Sequence, residues 1–219
     1  MEERFKKPIS KMDAAARQLE TAIDLYFSNG DSLSVHTLAH AAFRILFDLY
    51  PHLQSDDFSK QIDAMIQTEG WKPFSRTANF LKHADRDPHE ILPSHHPQEA
   101  MSIVGLATLL YRRISGDFTL KMKAFDCWAE TEGYEDLGLE ELDTNTARAA
   151  EHKKMREHIR ALPHDEKIVI AREHYQFFIE NFDHLSALSA EGDAAGLTTE
   201  QIIDNLESSG AAPSKTEIS

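Results

Sequence analysis

Cysteine is almost missing from this chain: Cys127 is the only one. A lone thiol closes no intramolecular disulfide and completes no zinc–cysteine set, so a reducing compartment suits the sequence. Glycine and proline are scarce too, at 9 and 8 residues, which is too few for the many turns of a sandwich or barrel. No apolar stretch approaches the roughly 18 uninterrupted residues of a membrane span. The opening MEERFKKPISK has no apolar signal core. Together these absences lead to the expectation of a cytoplasmic protein with no membrane contact. Basic charge is also in short supply: 23 Lys and Arg stand against 37 Asp and Glu, a formal net charge of -14. That balance argues against a general nucleic-acid coat, because phosphate contacts need a basic surface.

What the chain does have is helix. Hydrophobic residues make up 41% and charged residues 27% of 219, enough for a packed core. Ser10 with Asp13 reads as a capping box and Asn29-Gly30 as a stop. Between them Met12, Ala16, Leu19, Ile23 and Tyr26 recur at steps of three and four, one face of a helix. Further helices are expected from about Ser32 to Tyr50, stopped by Pro51; from Asp56 to Thr68; from Pro73 to Asp87-Pro88; and from Pro97 to Gly116. A second group follows at Thr119–Thr131, Thr146–Leu162 and from Pro163 onward, with an acidic connector at Tyr134–Asp143 and a short helix capped by Thr198 and Gln201. The expected fold is all-α: a bundle core of about five helices over residues 1–116, a helical extension packed on it over 117–190, and a mostly flexible acidic tail over 191–219. Acidity concentrates in the second half. Residues 117–143 hold nine carboxylates against Lys121 and Lys123, so the first bundle is not coated with negative charge.

Two helices carry candidate chemistry. The second is apolar nearly all round, yet His36, His40, Arg44 and Asp48 recur every fourth residue. Each step drifts about 40°, so the four form a slanting polar ribbon. One reading is an Arg44–Asp48 helical pair with two histidines at the bundle edge. The other is a ribbon lining a cleft or dimer seam, with His40 and Arg44 largely buried and partnered from another helix. On the fourth helix, Arg76, Asn79 and His83 fall at i, i+3 and i+7, one stripe, leaving Phe74, Ala78 and Leu81 to face the core. A guanidinium, an amide and an imidazole on one stripe suit a phosphate ester. Arginine grips its oxygens as a fork, and histidine exchanges protons near neutrality.

The pair Arg76 and His83, separated by six residues near the end of a bundle helix, resembles the Arg-(four to six residues)-His motif of the HEPN superfamily. Thr77 follows Arg76, where that family usually carries a more polar residue such as Asn, Asp or His. The stretch NFLKHADRDP also resembles a group of uncharacterised bacterial helical proteins whose opening helices read like AARQLETAIDLYFSNGD and SVHTLAHAAFRIL, a likeness over about residues 10 to 116. The HEPN resemblance implies a homodimeric helical bundle acting on nucleotides or RNA, in many members a metal-independent endoribonuclease of toxin or defence type. It would make Arg76, Asn79 and His83 catalytic, with Lys82 and Arg86 steering substrate along a groove lined by His36, His40 and Arg44. The alternative is a non-catalytic homodimerisation or ligand-binding module, for a nucleotide, a small ligand or a partner protein, that uses the same polar groove.

Twelve histidines raise the question of a metal. His36 and His40 have the spacing of a helical ligand pair, and His83, Asp85, Asp87 and His89 cluster, with His95-His96 following. No Glu-x-x-His or His-Glu-x-x-His pattern accompanies them, so neither a metal site nor any other cofactor is expected. Trp71, Trp128 and Cys127 are expected to be packing residues.

Overall fold

The computed structural model describes residues 8–67, 72–83, 85–86, 88–132 and 147–194. These form eight helices, with no strand among the described residues. Helix α1 (Lys11–Phe27) starts on the expected capping box: Asp13 N–H donates to Ser10 Oγ at 3.0 Å, and Ser10 N–H donates to Asp13 Oδ2 at 3.2 Å. It stops where Asn29 turns left-handed, φ 58°. Gly30 N–H then donates to the Leu25 carbonyl at 2.7 Å, and a Cβ on Gly30 would sit 3.0 Å from that oxygen, so a side chain there would force the turn apart.

Helix α2 (Ser32–Leu53) is capped by Asp31, whose carboxylate accepts from Ser34 N–H at 2.8 Å. It lies at the centre, packed most extensively against α5 (Pro97–Ser115) and α1. The core along these three helices mixes small and large buried residues: Ala15, Ala22, Ala39, Ala42 and Ala107 beside Leu19, Ile23, Leu46 and Leu110. Alternating sizes interdigitate at close helix spacing. The same cluster takes Ile62 from α3 (Phe58–Ile66), Met122, Phe125 and Trp128 from α6 (Leu120–Glu132), Ile159 from α7 (Ala147–Ala161), and Ile168 and Ala171 from α8 (His164–Ala194). Gly116, left-handed at φ 86°, ends α5.

Polar clamps tie the far ends. Arg113 donates to Tyr50 OH at 2.9 Å and to Asp56 at 3.1 Å, while Tyr50 OH donates to Asp56 at 3.0 Å, joining α5, α2 and the start of α3. Asp24 of α1 accepts from Tyr175 OH of α8 at 2.6 Å and pairs with Lys121 of α6. Burial and this Asp24 contact push the Tyr175 phenol upward. Helix α4 (Lys72–Lys82) rides at the margin, against α2 and α5, with Thr77 and Ala78 buried.

Six expectations change. Helix α2 passes through Pro51 to Leu53. In the last turn the missing N–H forfeits one bond, and Gln54 N–H closes the end onto Tyr50 O at 2.8 Å. Helix α4 ends at Lys82 rather than near Asp87. Leu81 is 37% exposed rather than core-facing: it shares the side of Thr77 and Ala78 but falls in the final turn, which overhangs the bundle. Cys127 is exposed, because Ala124, Phe125 and Trp128 occupy the inner face of α6. Arg44 is exposed and pairs with Asp48 on its own helix at 2.9 Å, so the simpler helical-pair reading holds for that residue. Trp128 is a packing anchor, 1% exposed. Helix α8 continues to Ala194, past the expected boundary at 190. Trp71, the acidic connector, the Thr198 cap and the tail from 195 lie outside the described residues. Among those described, no helix is long and apolar enough to cross a membrane.

Candidate functional site

Helix α4 puts its polar stripe outward because Thr77 and Ala78 are buried on the other side. Arg76 and Asn79 are exposed and His83, just past the last turn, is half-buried. Seven residues at 1.5 Å rise place Arg76 and His83 about 10 Å apart along the axis, with Asn79 between them. His83 N–H donates to the Asn79 carbonyl at 3.0 Å and Arg86 N–H to the His83 carbonyl at 2.9 Å, so the backbone keeps winding after the helix and carries exposed Arg86 close to His83. Lys82 lies to one side of the stripe and reaches α2, its Nζ 3.1 Å from His40 Nδ1.

The structure therefore brings Arg76, Asn79, Lys82, His83 and Arg86 together on α4 and its exit turn, and joins His40 to them through Lys82. Arg44 lies one turn further along α2, close enough for its charge to act on both Lys82 and His40. Burial first, and then the Arg44 guanidinium, lower the Lys82 pKa. Among the described residues no carboxylate forms an ion pair with Arg76, Lys82 or Arg86. Of the nearby carboxylates, Asp48 is engaged by Arg44 and Glu99 by Thr77 Oγ1, which donates at 3.2 Å, while Asp85 stands exposed beside Arg86 in the exit turn.

His36 is not on this surface. It is fully buried, and neither ring nitrogen has a hydrogen-bond partner. Its ring stacks on His40 at 6.0 Å between centroids and meets the edge of His95 at 5.7 Å. The His95 side chain is 8% exposed. Burial, reinforced by His95, holds the His36 pKa down to about 4. Burial together with Lys82, His36 and Arg44 holds His40 down to about 3. Both imidazoles are thus neutral near pH 7. His95, Glu99 and Thr77 were not among the expected site residues. No local spacing pointed to them, because Thr77 meets Glu99 and His36 meets His95 only through the packing of α4, α2 and α5. Among the described residues no group of three or more His, Cys, Asp or Glu side chains is arranged to hold a metal ion.

Chemically, the surface offers three cations, an amide and an imidazole, with the exposed Asp85 as the described carboxylate in the same segment, above the neutral rings of His36 and His40. Such a surface attracts oxyanions. No family model matches this chain, and no curated protein or solved structure matches it either.

Proposed function

We propose that this protein acts on RNA or a nucleotide, seating a phosphate ester on the α4 face, as its resemblance to HEPN domains implies. The observation that carries the reading is charge left over where charge is scarce. A chain of formal net charge -14 keeps Arg76, Lys82 and Arg86 clear of carboxylate partners on one short segment. Unneutralised like charges crowd at a cost unless a counter-charge arrives, and Arg and Lys at a groove are the groups that hold phosphate. A second copy of the chain would bring a second such stripe, which is how a homodimer would build one composite site.

Binding of a short single-stranded oligoribonucleotide, read by fluorescence anisotropy across a salt series, tests this. Three phosphate contacts on a single strand correspond to a slope of log K against log salt of about -2. Arg76→Ala is expected to weaken binding and to flatten that slope by about 0.7. Binding that is absent, or indifferent to salt, would sink the proposal.

Cleavage is the second reading, favoured by the placement of Arg76 and His83 on one solvent-facing stripe. Arg76 would hold the scissile phosphate, Asn79 would orient it, and His83 would take the ribose 2′-hydroxyl proton or supply one to the leaving oxygen. On this reading cleavage proceeds in EDTA, leaves a 2′,3′-cyclic phosphate, and is lost in His83→Ala while the melting temperature is unchanged. Binding without cleavage leaves the non-catalytic module.

A further inference from the structure

The cationic face of α4 continues onto α2 through one contact that works in a single protonation state. Lys82 Nζ lies 3.1 Å from His40 Nδ1. An ammonium is only a donor, so His40 must offer a lone pair at Nδ1, and its ring must be neutral. The groups acting on this imidazole are nearly all cationic or neutral. On α2 they are His36, stacked at 6.0 Å, and Arg44, one turn further on and paired with Asp48. On α4 the facing group is Lys82. Behind His36 sit His95, from the segment before α5, and Glu99 of α5, which is already held by Thr77. No carboxylate neutralises His40 directly. The ring is half-buried and Lys82 beside it is an exposed residue, so an anion reaching the Lys82 ammonium arrives next to His40.

We infer that a phosphodiester seated on Lys82 takes up one proton at His40, so that RNA binding at this face is coupled to pH. The inference rests on the α4 reading above. In the free protein Lys82 donates to the His40 lone pair. When a phosphate oxygen takes over as the acceptor for Lys82, a solvent proton adds to the vacated Nδ1. The imidazolium N–H then donates to the same anion. One proton is consumed per bound site and no covalent bond is made or broken. Electrostatics drive the exchange: the cations that hold His40 neutral are offset by the incoming negative charge, which favours the charged ring. By linkage, affinity rises as pH falls, by up to tenfold per pH unit for one proton taken up. The rise begins near the bound-state pKa and levels off once the free protein is itself protonated, near about 3. His36, deeper and without a solvent path, stays neutral and insulates the core from the new charge.

The probe is a short oligouridylate. Neither its phosphodiesters nor its bases titrate between about pH 5 and about pH 7.5, so any proton taken up belongs to the protein. Calorimetry near pH 6 in two buffers of different ionisation heat reads the number of protons. The ring Cε1–H resonance of His40, assigned by its disappearance in His40→Gln, is titrated by NMR with and without saturating oligouridylate. The expected results are a net uptake and a His40 titration that moves several-fold toward weaker acidity in the complex. A His40 titration unmoved by bound RNA overturns the inference and leaves the α4 reading intact. The absence of any binding across the pH range removes the α4 reading itself, and the inference with it.

Discussion

Lowering the pH from about 7 to about 4.5 is expected to strip roughly 2–3 kcal/mol from the folded state through His36 alone, and that share of the acid loss is expected to vanish in His36→Leu. The His36 ring is fully buried with both nitrogens unpartnered, so the fold accepts it only as the neutral species. Its pKa falls from 6.5 when unfolded to about 4 when folded. As pH drops through 6.5 the unfolded chain binds the proton first, and stability declines until the folded pKa is reached. The contribution is therefore complete above pH 6.5, lost between there and about 4, and flat below. His40, and His174, which burial also holds down, add to the loss in the same direction. The carboxylates with lowered pKa, Asp13, Asp31, Asp56 and Asp117, work in a separate window: their unfolded pKa is 3.8, so their losses fall at lower pH. Leucine fills a similar volume without the two unsatisfied nitrogens, and such replacements are close to neutral or stabilising. Urea unfolding at pH 7.5 and 4.5 on both proteins gives the answer. An equal acid loss in the variant would show that His36 is not the source.

Trp128→Ala is expected to destabilise by about 3–5 kcal/mol at any pH, lowering Tm by about 10 °C at roughly 2–4 °C per kcal/mol. Trp128 is among the largest fully buried side chains, and it works at a three-way junction. From α6 its indole N–H donates to Tyr26 OH of α1 at 3.1 Å, and its ring lies 5.8 Å from His174 of α8. Tyr26 in turn donates to the Met101 sulfur of α5 at 3.3 Å. Truncation opens a cavity between these helices and takes the indole donor away from Tyr26. Trp128→Phe keeps most of the volume and loses only the N–H, so about 1 kcal/mol is expected. A calorimetric Tm for the alanine variant within a degree or two of the parent would mean that α6 and α8 are not integral to the core.

The fold was legible because its helix ends are written in local chemistry. Ser10 with Asp13, Asn29-Gly30, Pro97 and Gly116 each act within a turn of where they stand, and each does in the structure what its type dictates. Pro51 misled because its cost is confined to the last turn: it forfeits its own bond to the turn before it, but Gln54 N–H still closes the helix on the Tyr50 carbonyl. Leu81, Cys127 and Arg44 misled because periodicity tells which residues share a side, not where that side runs out of neighbours. The outward stripe of Arg76, Asn79 and His83 was readable from spacing alone. The layer beneath it was not. His95 stands in an irregular segment with no period, and its meeting with His36 depends on how α5 enters beside α2, a tertiary fact that no local pattern records. For the same reason the neutral state of His36 and His40 was hidden: it follows from burial and from Lys82 across the helix gap, and not from the i, i+4 spacing of the two residues.

The most direct measurement of the proposed RNA binding is a residue-by-residue map of the amides that respond to an oligoribonucleotide. Backbone amide resonances of isotopically labelled protein, followed while a short single-stranded oligoribonucleotide is added, are expected to shift first and furthest at Arg76, Asn79, Lys82, His83 and Arg86. A weaker response is expected at His40 and Arg44, and none over α6. Shifts confined to the lysines and arginines of α7 and early α8 (Lys153, Lys154, Arg156, Arg160 and Lys167), or no shift at any concentration, would contradict the claim that the α4 face is the site.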